Sequence, residues 1–227
     1  MENGTGLKVG IVTGAGQGLG AVIAQTLAAA GVYVAINDIN PDRAERTAVA
    51  IREQGGTAIA VAADVANKFQ CAHLIETTRA EWGQLDILVN NAAIMPRSTI
   101  LKLDEWEWNR CLEVNLKGTF FMSQLCGRVM ADENQERGGV IINIASTAGV
   151  NLPLENRAPA RRGWWALPAN VPANMPSTAS VFILCCQMRD GRLPYTSSPK
   201  PCARSATSPA MNLFTSPPLT RKILNGA

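Results

Sequence analysis

Leu7-Lys8-Val9-Gly10-Ile11-Val12-Thr13 runs directly into Gly14-Ala15-Gly16-Gln17-Gly18-Leu19-Gly20. The first stretch is apolar and rich in β-branched residues, the pattern of a buried strand. The second is a glycine-rich turn that opens a helix over 18–30, with Leu19, Val22, Ile23 and Leu27 as its expected apolar stripe and Gly31 as its stop. Outward from this unit the alternation continues. Val32 to Ile36 reads as a second strand ending at Asn37-Asp38, and Asn40-Pro41-Asp42 opens a helix with Asn40 as N-cap. Ala58 to Ala62 is a third strand, 67–82 a helix and Leu85 to Val89 a fourth strand. A long helix is expected from Asp104, with Glu107 three residues on, through Asn115 towards Met130. Gly139 to Ala145 is a fifth strand. Buried strands alternating with helices predict an α/β fold, a Rossmann-type doubly wound parallel sheet.

A glycine-rich strand-to-helix turn lets backbone approach a pyrophosphate, whose charge meets free N–H groups at the helix N-terminus. Gly14 is expected to make the turn, Gly18 to allow close approach and Gly20 to let helix and strand pack. Asp38, at the end of the second strand, has a carboxylate placed to accept from both hydroxyls of an adenosine ribose. It repels a 2′-phosphate, and neither Gln17 nor Ile39 supplies a cation for one, so NAD is expected over NADP.

The motifs as a set resemble the short-chain dehydrogenases/reductases. They are Thr-Gly-x-x-x-Gly-x-Gly at 13–20, Asp64-Val65 after the third strand and Asn90-Asn91-Ala92-Ala93 after the fourth. Asn115 within Val-Asn-Leu-Lys-Gly-Thr-Phe and Ser146 within Asn-Ile-Ala-Ser-Thr-Ala-Gly complete it. The family has Gly where Ala93 stands. The resemblance spans residues 7–150 and implies a role for each residue. Gly14, Gln17, Gly18, Leu19 and Gly20 belong to the cofactor loop. Asp64 and Val65 line an adenine pocket, and Asn91 with Asn90 and Ala92 lies under the nicotinamide ribose. Ser146 holds the substrate carbonyl and Asn115 a water of the proton relay. Hydride then passes between the nicotinamide and a secondary alcohol or ketone.

The family's Tyr-x-x-x-Lys, counted from Ser146, falls at Pro159 and Gly163. The two tyrosines are Tyr33, inside the second strand, and Tyr195, with Pro199 four residues on. No residue supplies the acid/base pair, so this chain is expected to be inactive in catalysis. The composition breaks in the same region. Residues 1–150 hold 16 acidic and 12 basic side chains, whereas 151–227 hold 2 and 9, giving the net +3 of the chain; 11 of the 13 prolines also lie after 150. Two domains are therefore expected, an NAD-binding domain over 1–150 and a Pro/Arg-rich, irregular tail over 151–227, in which only Val181 to Cys186 could make a strand. The fifth strand is then expected to lose the neighbour that covers its edge.

The tail reads as a shifted frame. One base earlier, Trp164-Trp165 forces Val, Trp165-Ala166 forces Gly and Met175-Pro176 forces Ala. With permitted third bases, residues 160–181 become Lys-Ala-Gly-Val-Val-Gly-Leu-Ala-Arg-Gln-Cys-Ala-Arg-Glu-Tyr-Ala-Leu-Asn-Arg-Ile-Arg-Val, similar to the family's helix after its Lys. The competing reading is a non-catalytic NAD-binding protein with a divergent tail.

The remaining features bound the function. The six cysteines form no C-x-x-C pair, which argues against a metal site or a disulfide framework. His73 sits in a polar helical stretch and reads as surface. No apolar run approaches membrane-spanning length and the opening residues lack a signal-peptide pattern, so a cytoplasmic protein is expected. The basic tail lacks the interleaved aromatics of a nucleic-acid patch and the amphipathic spacing of a membrane one. A small-molecule alcohol or ketone is the expected partner. The resemblance implies homo-oligomers for intact members, through helices that this chain lacks.

Overall fold

The computed structural model describes residues 6–96, 98, 101–134, 137–146 and 180–186. The chain alternates β1 (Lys8–Val12), α1 (Gly18–Ala29), β2 (Val32–Asp38), α2 (Pro41–Glu53), β3 (Ala58–Ala62), α3 (Lys68–Trp82) and β4 (Ile87–Asn90). It continues with α4 (Glu105–Leu112), a π turn (Glu113–Gly118), α5 (Thr119–Glu133), β5 (Val140–Ser146) and β6 (Ser180–Cys186). The strands lie in the order β3-β2-β1-β4-β5-β6, every pair parallel. The chain winds one way from β1 to β3 and the other way from β4 onward. The carboxyl ends of β1 and β4 therefore flank the point where the winding reverses, the crevice in which open α/β sheets take ligands.

The period of two along the strands divides the core between the faces. Ile11, Ala35, Leu88 and Ile141 point to one side and pack with Cys71, Leu74 and Ile75 of α3 and Met122, Cys126 and Met130 of α5. Val12, Val34, Ile36, Val89 and Ile144 point to the other and meet Ala24 and Ala28 of α1 and Ala44, Ala48 and Ile51 of α2. Each fully buried Ile or Leu contributes about 1.5–3 kcal/mol relative to exposure.

Local signals set the helix ends. Asn40 Oδ1 accepts from Arg43 N at 3.0 Å, with Pro41 in the first turn, as expected. Asp104 Oδ1 accepts from Glu107 N at 2.7 Å and Asn67 Oδ1 from Phe69 N at 2.9 Å. Gly83, at φ 70°, closes α3 in the left-handed conformation that glycine adopts without strain.

Four expectations need correction. Val22 is exposed rather than part of the buried stripe of α1. The helix lies on the small residues Gly20, Ala24 and Ala28, four apart, flanked by Leu19, Ile23 and Leu27, so Val22 falls on the far side. The helix from Asp104 is interrupted by the π turn. β4 starts two residues later than expected, after Leu85 and the buried Asp86. β6 lies parallel to β5 from Val140↔Ser180 to Ser146↔Cys186, so the outer edge of β5 is paired rather than bare. The expected domain boundary, Pro159, Gly163, Tyr195 and the rest of the tail other than 180–186 lie outside the described residues. Among the described residues, no helix is long and apolar enough to cross a membrane.

Candidate functional site

Apart from Asn115, the residues expected to hold cofactor or substrate sit at the carboxyl edge of the sheet or in the segments that leave it. Thr13 through Gly20 follow β1, Asp38 ends β2 and Asp64-Val65 follow β3. Asn90 ends β4, with Asn91 and Ala92 after it, and Ser146 ends β5. Asn115 lies in the π turn.

The glycine loop is fixed from beneath by β4. Thr13 Oγ1 accepts from the backbone N–H groups of Asn91 and Ala92, both at 3.0 Å. The Asn91 amide donates back to the carbonyls of Thr13 at 2.9 Å and Gly14 at 3.1 Å. Gly14 has φ 62°, and a Cβ there would come within 2.7 Å of Ala92 Cα. Only glycine meets both conditions. Gly20 is packed just as closely, but against the loop itself: a Cβ there would meet Asn91 Nδ2, the Gly14 carbonyl and, at 3.0 Å, Ala15 Cα. Gly18 differs from both. Its φ is 58°, but a Cβ there would meet nothing within 4 Å, so its backbone faces open space. Gln17 is exposed at the N-cap of α1 with no side-chain cap bond, and the first turn carries no acidic residue. The helix N-terminus therefore offers free N–H groups and the positive end of its dipole. Leu19 is half-buried against the α1–α2 side of the core.

Asp38 is buried, yet its carboxylate is far from free. Oδ2 accepts from Gly16 N at 3.2 Å, binding the strand end to the glycine loop. Oδ1 accepts from Asn40 N at 3.0 Å and from the Arg43 guanidinium, at 3.2 Å from Nε and 2.8 Å from Nη2. Sequence reading looked for a cation at Gln17 and Ile39 and missed Arg43, one helical turn further on. The signal was present in the N-cap at Asn40, which turns the chain back so that the first turn of α2 lies against Gly16. A Cβ on Gly16 would stand 2.6 Å from Arg43 Cβ.

The other end of the crevice is similarly braced. Asp64 Oδ1 accepts from Ala66 N at 3.0 Å, and Oδ2 from Arg110 Nη2 at 2.7 Å, joining the loop after β3 to α4. Val65 is buried, and Gly118 lies so close that a Cβ there would reach 2.8 Å from Val65 Cγ2. Buried Asn90 donates from Nδ2 to Asn143 Oδ1 at 2.8 Å and to Ser123 Oγ at 3.0 Å. Asn115 is buried too, and its amide holds the loop after β4: Oδ1 accepts from Ile94 N at 2.8 Å and Nδ2 donates to Ile94 O at 2.8 Å. Thr119 Oγ1 donates to the Asn115 carbonyl at 3.1 Å. Tyr33 is packed on Trp82 at 5.7 Å between ring centroids, in the middle of β2 and away from this edge. His73 is exposed on α3.

The family model for short chain dehydrogenases matches residues 8–158. The chain belongs to the short-chain dehydrogenase family. It is similar to galactitol 2-dehydrogenase of Agrobacterium fabrum, 42% identical over 142 residues, which cover 63% of this chain and 54% of the relative. It is also similar to a 3-oxoacyl-(acyl-carrier-protein) reductase of Synechocystis, 38% identical over 159 residues, covering 69% of this chain and 63% of the relative. Among solved structures, a 7α-hydroxysteroid dehydrogenase complexed with NADH and 7-oxo glycochenodeoxycholic acid has a TM-score of 0.64 and 32% identity, over 70% of this chain and 62% of that one. The matched region of this chain spans about half to two thirds of the length of these relatives.

Proposed function

We propose that residues 8–146 form an NAD-binding site of a short-chain oxidoreductase acting on a secondary alcohol or ketone, in a copy that binds cofactor without turning it over. The observation that carries this reading is the union of Asp38 with the glycine loop through Gly16 N. The residues present fit a dinucleotide. The open backbone at Gly18 and the uncapped N-terminus of α1 suit a pyrophosphate. Asp38 suits the hydroxyls of an adenosine ribose and supports NAD over NADP. On this reading Asp64 and Val65 would line the adenine pocket, and Asn90, Asn91 and Ala92 would lie beneath the nicotinamide ribose. When bound, the nicotinamide supplies the hydride donor or acceptor.

Ser146, at the end of β5, would orient a substrate carbonyl. Asn115 would act through its main chain, because its amide is committed to Ile94. The positions that the family gives to Tyr and Lys hold Pro159 and Gly163, so on this reading the proton step would lack the family's donor. A parent gene in the corrected frame would restore both and give an active dehydrogenase. If the present frame is the natural one, the protein is a non-catalytic NAD binder. Sequencing codons 145–185 in transcript and genome separates these two.

The direct test is titration of the 227-residue chain with NADH, followed by fluorescence, and a turnover assay with a panel of secondary alcohols and ketones. Saturable binding without turnover is expected. Failure to bind NADH, in a protein with a cooperative melt, overturns the cofactor reading; turnover overturns the inactive one.

A further inference from the structure

The geometry points to Arg43 as a specificity-determining residue that tempers the discrimination of Asp38 and admits a 2′-phosphorylated dinucleotide alongside the unphosphorylated one; this rests on the dinucleotide reading above. A lone carboxylate at the end of β2 would repel a 2′-phosphate. This carboxylate is not alone. Its side chain is 6% exposed and that of Arg43 is 31% exposed, so the pair presents more of the cation than of the anion to solvent. The guanidinium meets Asp38 through Nε and Nη2. Of its five N–H groups three remain for another acceptor, in the planar fork that suits phosphate oxygens.

Arg43 is also held in place. Its backbone N–H donates to Asn40 Oδ1 at 3.0 Å, and its Cβ packs against the Cα of Gly16. The guanidinium therefore stays beside the glycine loop at little cost in side-chain entropy. A ribose 2′-hydroxyl can donate to the carboxylate, and a 2′-phosphate can accept from the guanidinium on the same pair. Asp38 favours the first and Arg43 reduces the penalty on the second.

The test measures the dissociation constants of NADH and NADPH, and of ADP and 2′,5′-ADP, for the full chain and for Arg43→Gln and Arg43→Lys. The ratio within each pair isolates the 2′-phosphate, since any general disturbance of the adenosine site weakens both members alike. Arg43→Gln is expected to raise the NADPH/NADH ratio about tenfold or more, the worth of one hydrogen bond to a charged group. Arg43→Lys, which keeps the charge but not the fork, should fall between it and wild type. The extra salt sensitivity of the phosphorylated ligands in wild type should vanish in Arg43→Gln. Ratios unchanged within about twofold in both variants overturn the role of Arg43 and leave the dinucleotide reading intact. So does wild-type protein that binds NADH but no NADPH. Binding of neither dinucleotide by wild type removes both readings. Should Arg43→Gln fail to melt cooperatively, the ratio for Arg43→Lys decides.

Discussion

Replacing Asn91 with Ala cuts the tie between β4 and the glycine loop. Two hydrogen bonds disappear, from Asn91 Nδ2 to the carbonyls of Thr13 and Gly14. Thr13 is buried, so its carbonyl gains no water in exchange, and an unsatisfied acceptor of that kind costs about 1–3 kcal/mol. Gly14 is half-buried and water can replace part of the loss, leaving about 1 kcal/mol. The sum is about 2–4 kcal/mol, or a fall in Tm of roughly 5–15 °C for a domain of this size. Urea unfolding followed by far-UV circular dichroism should show the midpoint falling at constant m. Asn91→Asp keeps the shape but sets acceptor oxygens against two carbonyls, and should be at least as damaging. Thr13→Val removes the acceptor for the N–H groups of Asn91 and Ala92, so the double variant should lose less than the sum of the singles. An Asn91→Ala protein within about 0.5 kcal/mol of wild type would show that the loop is held by something else.

Gly14→Ala forces a Cβ onto Ala92 at φ 62° and should cost more than about 2 kcal/mol, read from the thermal midpoint. Asp86 is buried and accepts from Val9 N at 2.9 Å, Gln84 Nε2 at 3.0 Å and Lys8 Nζ at 3.3 Å. Asp86→Ala should therefore cost about 2–4 kcal/mol in urea unfolding, whereas Asp42→Ala, on the exposed rim of α2, should stay within about 0.5 kcal/mol. Burial, and after it the charge of Asp64, pushes the Cys71 thiol up from 9.0 to about 12; burial and then Cys71 push Cys126 up as well. Their contribution is complete below pH 9 and is lost as pH rises towards the folded values, since the unfolded thiols ionise first. Stability should fall above pH 9 by up to about 1.4 kcal/mol per pH unit for each thiol, and Cys71→Ala should flatten the decline.

The strand–glycine–helix unit was legible because each of its signals is local. Gly14 is needed for its own φ, Asn40 caps the helix it precedes, and the apolar residues of β1 and β2 alternate between two faces that both need covering. What escaped the sequence depends on contacts between elements. The burial of α1 was assigned to its large side chains, yet close approach to the sheet favours Gly20, Ala24 and Ala28 and turns Val22 outward. Arg43 reads as an ordinary polar residue of a helix first turn until α2 is folded back against Gly16. The amide of Asn91 is spent on the carbonyls of Thr13 and Gly14, a contact between elements that its place after the fourth strand does not announce. The strand at 180–186 was recognisable from its apolar run, but its pairing with β5 was not, because the prolines around it pointed to irregular structure. The π turn leaves no simple trace in Glu-Val-Asn-Leu-Lys-Gly, whose residues all suit an α-helix apart from the final Gly118.

That π turn sets the rotational phase between two helices that are otherwise continuous. One residue more than an α-helix needs is accommodated between Glu113 and Gly118, so everything after it keeps the phase of an α-helix one residue shorter, about 100° behind the residue count. Cys111 faces the protein before the turn and Val114 within it, and Met122, Cys126 and Met130 face it after. Deleting a single residue here would turn the segment into plain α-helix and leave Met122, Cys126 and Met130 on the sheet, at the expense of the local backbone that positions Asn115. The segment that positions Asn115 is thus also a store of one residue, which the helices on either side could lose without changing the faces they bury.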